Sequence, residues 1–441
     1  MPGSIYSDLE GNGKIGPIYK NFNDVLSRWV AYDNWTFERH FDGKFKIYSV
    51  FAVYNNVKNL STVNADVLAK QHIFLTAHGL DTIATVTLND QKIISAANMF
   101  VRYTTPVKSI LKAKHNTLKV HFVSAPLYAK RRFEEVQKEK YLIPPTCVPG
   151  VEKGECHVNM LRKMQASFAW DWGPAIPTAG IWQPLLIEAY DSLLLRDVTV
   201  ETVPEALAGT DNNSWELKYT LFAEIIPGTV SKGTLEVLLD GHLLSNSSYQ
   251  FESLKGEAKK AFSAKIPSSF NIQRWWPNGL GQQKLYNLTI RINPEHQEAQ
   301  SKTLNIGFRT VELVQERLHS KTEAYSFYFK VNGVPFFAKG SNWIPAHALN
   351  EAITEGYLRT LLHSAKLANI NMLRIWGGGK YEDDALYQIA DEYGIFLWHD
   401  MMFACALYET DKAFLESVAV EVTQQIRRLQ HHPSIAIWAG R

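Results

Sequence analysis

The chain has 441 residues, with 46 basic and 44 acidic side chains and a net charge of +2. That is enough for two or three domains. Near-neutral charge without a long basic run excludes the electrostatic footprint of a nucleic-acid binder. No stretch approaches the roughly 20 apolar residues of a membrane span.

The start, MPGSIYSDLEGNGK, lacks a basic and an apolar region, so it does not read as a signal peptide. Read literally, this places the chain in the cytosol. Two features point the other way. Sequons occur at Asn34, Asn59, Asn212, Asn246 and Asn287, a number that chance also supplies in a chain rich in Asn, Ser and Thr. Cys147 and Cys156 lie close together in PPTCVPGVEKGEC, compatible with a short looped disulfide or with two unrelated thiols. Cys405 has no neighbouring cysteine and reads as a small buried hydrophobe.

Up to about residue 190 the pattern is β. Short alternating runs such as IATVTLND (83–90) and LKVHFV (118–123) are separated by turn residues. The charged stretch KRRFEEVQKEK (130–140) reads as a surface helix. Residues 191–312 carry shorter and more regular strands. WELKYTLF (215–222) alternates Trp215, Leu217, Tyr219 and Leu221; TLEVLLDG (234–241) alternates Leu235, Val237 and Leu239; YNLTIRI (286–292) does the same. Evenly spaced strands without helices predict an immunoglobulin-like sandwich.

Beyond 313 the period changes. FYFKVNGVPFFAKGSN reads as a hairpin with an Asn-Gly turn. Helices then alternate with strands. Thr354 caps a helix with Tyr357, Leu361 and Ala365 beside Leu358 and Leu362 on its apolar face; Asp384 opens a second, stopped by Gly394; Asp411 opens a third, stopped near Pro433. The intervening strands are MLRIW (372–376), FLWHD (396–400) and IAIWAG (435–440). This alternation predicts βαβ units and a parallel sheet, either half of an eight-stranded β/α barrel or part of an open sheet.

In a β/α barrel, chemistry sits at the C-terminal ends of the strands. Asn342 and Trp343, Arg374 and Trp376, and His399 and Asp400 fall at three successive strand ends. Trp offers an apolar platform to a sugar face, and Asn, Arg and Asp fix hydroxyls by directed hydrogen bonds. Each alone is equally an end-of-strand polar group satisfied by loop backbone. Gly377 to Gly379 match neither the dinucleotide fingerprint nor the P-loop and read as a tight loop. His431 and His432 precede a proline at a helix end without a Cys/His cluster, so no metal site and no cofactor are expected. Within SFAWDWGPAIPTAGIW (167–182), Asp171 lies between Trp170 and Trp172. This reads equally as a sugar-binding carboxylate between two indoles or as a buried Asp among core aromatics.

The segments WVAYDNWTF, GLDTIATVTLND, NMFVRY, KGECHVNM, WDWGP, RWWPNGLG, GFRTVEL, GSNWIP, NMLRIWGGG and HHPSIAIW occur in this order along the chain. Together they resemble the ordered motifs of the β-mannosidases in the second glycoside hydrolase family. The resemblance implies a jelly-roll-like sugar-binding β-sandwich (1–190), an immunoglobulin-like β-sandwich (191–312) and the first half of a (β/α)8 barrel (313–441). It implies removal of terminal β-linked mannose from oligosaccharides of glycoproteins, lysosomal delivery, N-glycans and a Cys147–Cys156 disulfide. Trp170, Asp171, Trp172, Trp376 and Asp400 match the mannose subsite; Asn342 and Arg374 match neighbouring positions. By the same resemblance the first domain is clipped, and both catalytic Glu residues are expected beyond Arg441. On that basis the isolated chain is expected to be inactive and its last 110 or so residues unstable, because a half-barrel leaves two strand edges unpaired. The competing readings are a non-catalytic carbohydrate-binding remnant and a β-galactosidase or β-glucuronidase relative.

Overall fold

The structure is a computed structural model that describes residues 3–42, 67–139, 142–205, 214–319 and 323–440. Asn59 and Asn212 lie outside the described residues. The chain opens with three short helices: α1 (Ile5–Gly11), α2 (Asn23–Leu26) and α3 (Trp29–Tyr32). The sequence predicts β structure over the first 190 residues with one surface helix at 130–140, so these three helices are a correction. Such short helices gain little from intrinsic propensity and depend on tertiary contacts. Here Ile5, Tyr6, Ile18 and Val30 pack with Ile176 and Leu349, which come from distant parts of the chain.

Strands β1 (Trp35–Phe41), β2 (His72–Ala77), β3 (Ala84–Leu88), β4 (Gln91–Ala96), β5 (Tyr103–Pro106) and β6 (Asn116–Phe122) follow. After α4 (Ala125–Lys138) come β7 (Phe168–Trp170), β8 (Gly173–Ala175) and β9 (Leu185–Tyr190). They form an antiparallel sheet β1-β6-β3-β4 facing a sheet β5-β2-β9 over a core that includes Leu75, Val86, Leu88, Val120 and Phe122. Helix α4 is the charged segment. Ser124 caps it by accepting from the Leu127 N–H, and Ala129, Phe133 and Val136 face inward.

A second pair of antiparallel sheets contains β10 (Leu193–Pro204), β11 (Trp215–Ile225), β12 (Val230–Leu239), β13 (His242–Glu252), β14 (Glu257–Ile266), β15 (Tyr286–Pro294) and β16 (Gln300–Ile306). The orders are β10-β11-β14 and β13-β12-β15-β16. The alternating residues behave as strand periodicity requires: Trp215, Leu217, Tyr219 and Leu221 meet Leu235, Val237, Leu239, Leu288, Ile290 and Ile292 in one buried core.

Strands β17 (Val311–Val314), β18 (Tyr328–Val331) and β19 (Val334–Phe336) form a small antiparallel sheet, with β18 and β19 joined through Asn332 and Gly333, both at positive φ. The parallel sheet β20 (Gly340–Trp343), β21 (Met372–Ile375), β22 (Phe396–Asp400), β23 (Ile435–Ala439) then runs in sequence order. It alternates with α5 (Glu355–Leu367), α6 (Asp384–Tyr393) and α7 (Lys412–Leu429), the pattern of the first part of a β/α barrel. Thr354 and Asp411 cap α5 and α7 through their side chains, and Gly394 ends α6 in the left-handed region. Helix α6 opens at Asp384, as expected, with Asp383 at its cap position. The inward face of α5 is Leu358 and Leu362; Tyr357 is exposed. Cys405 is exposed, not buried as expected: it sits at positive φ in the loop after β22, which turns its side chain outward.

The parallel sheet does not stand alone. Met99, Phe100, Met164 and Ala166 from the first sandwich share one core with Leu358, Leu373, Ile375, Leu386 and Leu397. The indole of Trp275, fully buried, packs on Phe396 and donates to the Asp391 carbonyl at 2.8 Å. Glu421 of α7, with no exposed surface, accepts from Arg162 at 2.6 and 2.9 Å, from Asn98 at 2.8 Å and from Tyr381 at 3.0 Å. Removing one member of a buried ion pair leaves an uncompensated charge, so Glu421→Ala is expected to destabilise the protein by about 3–5 kcal/mol. Denaturant titration of the variant against the parent measures this; an unchanged midpoint overturns it.

Candidate functional site

Strands β7 and β8 form a hairpin whose two-residue tip is Asp171 and Trp172, with Trp170 paired to Gly173. Trp170, at the end of its strand, is half-buried, whereas Asp171 and Trp172 at the turn are exposed. The hairpin is anchored just before its first strand. The Ala166 N–H donates to the Gly378 carbonyl at 2.9 Å, and the Gln165 amide donates to the Tyr408 hydroxyl at 2.7 Å. Both indoles meet Trp376 edge-on, with ring centroids 4.6 Å away for Trp170 and 5.6 Å for Trp172. The hairpin of the first sandwich therefore lies over the end of β21.

Trp376 is held there by the glycine run. Its ring folds back over Gly378, where a Cβ would come within 2.1 Å of the indole. Next to it lies a hydrogen-bonded row at the strand ends. Arg374 donates to both Asp400 oxygens, at 3.2 and 2.5 Å, and to the Asn342 Oδ1 at 3.1 Å. The Gly377 N–H donates to Asp400 at 3.1 Å. Parallel register puts Asn342 opposite Arg374, so adjacent strands present these groups side by side. The bidentate Arg374–Asp400 contact holds both side chains in one orientation.

His399 leaves the expected group. Neighbouring strand residues point to opposite faces, and while Asp400 accepts from Arg374, His399 turns to the helix layer. There it stacks on Tyr381 and Tyr387, its Nδ1 donating to the Asp400 carbonyl and its Nε2 accepting from the Tyr387 hydroxyl, both at 2.8 Å. Burial lowers its pKa from 6.5 to about 3. Trp343 is half-buried and donates to Glu382 at 3.1 Å. Glu382 was not foreseen from the sequence. Burial raises its carboxyl pKa against the opposing pull of Lys380, 3.3 Å away. His432 is buried and bonds Asp391 at 2.5 Å, so it acts as packing between α6 and the approach to β23.

Cys147 and Cys156 form a disulfide, with Cα atoms 4.0 Å apart. The loop it closes was not expected at the site, yet it lies beside the hairpin. An open cleft of about 400 Å³ is lined by Val151 and Glu152 of that loop and by Trp170, Asp171, Trp172, Gly173 and Pro174 of the hairpin. Among the described residues no group of three or more His, Cys, Asp or Glu side chains is arranged to hold a metal, and no helix is long and apolar enough to cross a membrane.

Residues 1–183 match the family model of the glycosyl hydrolase 2 galactose-binding domain-like module, and residues 209–309 match that of glycosyl hydrolases family 2. The chain belongs to glycosyl hydrolase family 2. It is 40% identical over 440 residues to the β-mannosidase of Bos taurus and 34% identical over 450 residues to a probable β-mannosidase of Caenorhabditis elegans. All of this chain is covered, against 47% and 46% of those relatives, so it spans about half their length. A crystal structure of the β-D-mannosidase from Dictyoglomus thermophilum superposes with a TM-score of 0.83 at 31% identity, over 100% of this chain and 49% of that one. The fold is that of family 2: a galactose-binding-like sandwich, an immunoglobulin-like sandwich, and a parallel sheet that begins an α/β barrel.

The depressed pKa of His399 has a stability consequence. The folded state holds the ring neutral, whereas the unfolded chain binds a proton below pH 6.5. His399 therefore contributes stability above pH 6.5 that is lost as pH falls toward about 3. His399→Gln is expected to flatten the pH dependence of unfolding free energy in that window; denaturant midpoints measured from pH 7 to 4 that fall as steeply in the variant as in the parent overturn it.

Proposed function

We propose that this chain is the sugar-binding half of a β-mannoside hydrolase, in which the hairpin tip and the strand ends together hold a terminal β-linked mannose of a glycoprotein oligosaccharide. One observation carries this reading: Trp170 and Trp172, flanking exposed Asp171, meet Trp376 edge-on over the barrel strand ends. Indole faces accept the apolar face of a pyranose, and an exposed carboxylate accepts hydrogen bonds from its hydroxyls. Trp170, Asp171, Trp172 and Trp376 form one wall; Asn342, Arg374 and Asp400 form the other. Residues 1–190 and 191–312 act as the two sandwiches, and 313–441 supplies the strand ends. The β-mannosidase of cattle and the probable β-mannosidase of a nematode among the relatives support the sugar assignment.

Retaining glycosidases use two carboxyl groups about 5 Å apart, one as acid/base and one as nucleophile. Neither Asp171 nor Asp400 suits that work. Asp400 has both oxygens taken by Arg374 and Gly377, which leaves it orienting Arg374 and Asn342. Asp171 stands at an exposed hairpin tip rather than in an enclosed pocket. We assign both to binding. For the complete protein we propose lysosomal delivery, with N-glycans on the exposed sequons Asn34, Asn246 and Asn287.

Two outcomes are expected. The 441-residue chain binds methyl β-mannoside, read by tryptophan emission, and Asp171→Ala weakens that binding by about 10- to 100-fold, the worth of a charged hydrogen bond. The same chain shows no turnover of an aryl β-mannoside, since loss of a general acid alone removes about 10²–10⁴-fold. Turnover by pure protein that disappears in Asp171→Ala overturns the second; unaltered affinity in Asp171→Ala overturns the first.

A further inference from the structure

The Cys147–Cys156 loop is built with more restraint than a surface connection requires. The disulfide closes it. Its returning arm is tied to the hairpin, the Glu155 N–H donating to the Phe168 carbonyl at 2.8 Å. Gly154 has no room for a side chain: a Cβ there would lie 2.4 Å from Val148 and 2.5 Å from the Phe168 carbonyl. Glu155 is buried and clasped from outside, by Arg28 at 2.6 Å and by the Tyr32 hydroxyl at 2.6 Å. Arg28 also donates to the Lys153 carbonyl. The short helices near the chain start thus fix a loop that is about 120 residues away in sequence.

All this restraint holds a tip that faces the cleft. Val151 is 88% exposed, and Glu152 shares the cleft with Asp171 and Trp172. Arginine and lysine are absent from the cleft lining. A carboxylate in such a cleft is an acceptor for hydroxyl or amide N–H groups. Asn342, Arg374 and Asp400 do not line this cleft and belong to the terminal sugar on the reading proposed above. The cleft shares Trp170, Asp171 and Trp172 with that site, and the rest of an oligosaccharide has to leave through an opening.

We infer that the Cys147–Cys156 loop is the wall of an aglycone subsite, with Glu152 accepting hydrogen bonds from the hydroxyls of the sugar next to the terminal mannose. The inference rests on the mannose-binding reading, and the experiment separates the two. The 441-residue chain is titrated with methyl β-mannoside and with β-1,4-mannobiose while tryptophan emission is followed. One added hydrogen bond predicts that mannobiose binds about three- to tenfold more tightly than the methyl glycoside. Glu152→Ala, at a half-buried loop position, abolishes that advantage and leaves methyl β-mannoside affinity unchanged. Glu152→Gln, which keeps an acceptor oxygen, retains part of it. Reduction of the disulfide loosens the wall and shrinks the advantage as Glu152→Ala does. An advantage for mannobiose that survives Glu152→Ala overturns the subsite while leaving the mannose site standing. Failure of either sugar to bind, or binding indifferent to Asp171→Ala, overturns the mannose reading itself.

Discussion

The carboxylate of Glu421 joins parts of the chain that are remote in sequence. Arg162 and Asn98 come to it from loops of the first sandwich, and Tyr381 from the segment after β21. Arg162 also stacks over Phe403, 4.3 Å from its ring centroid. A charge fully removed from water persists only when its donors are complete. The ion pair therefore fixes how the sandwich sits on α7, and with it the position of the hairpin that Ala166 and Gln165 anchor to Gly378 and Tyr408. The placement of Asp171 over β21 follows from that seating.

The seating also changes what the parallel sheet is. Four parallel strands with an open edge on each side are a poor independent unit. Here part of the missing cover comes from elsewhere in the chain. Phe100 and Met164 fill the core beside Trp376 and Tyr381, and Trp275 with Phe329 covers Met372 and Phe396 from the other end. Strand β20 keeps exposed residues at Gly340, Ser341 and Asn342, as an edge strand does. Arg309 reaches across to the carbonyls of Pro433 and Ile435, which ties the second sandwich to the entry of β23.

Aromatic residues divide between two jobs that composition cannot separate. Trp215 and Trp275 are core, with almost no exposed surface, while Trp172 is 45% exposed at a hairpin tip. The difference lies in what flanks them. Trp215 belongs to a strand whose every second residue is apolar, whereas Trp172 follows a carboxylate in a turn. The same contrast separates His399 from Asp400: one residue of strand alternation puts the first among tyrosines and the second against Arg374.

Local rules were enough to read much of this protein from its residues. Strand alternation identified the core faces of β11, β12 and β15; side-chain caps and a terminal glycine marked the starts and stops of α5, α6 and α7; Asn332 and Gly333 marked a tight turn. These depend on neighbours a few residues apart, and the sequence carries such information directly. The strand-end row of Asn342, Arg374 and Asp400 was legible for the same reason. The short helices before residue 33, the exposure of Cys405, and the approach of Glu152 and Glu382 to the site were decided by tertiary structure alone. None of these is set by neighbours a few residues apart; the early helices, for instance, are buried against Ile176 and Leu349, and long-range packing leaves no periodic mark on the residues that take part in it.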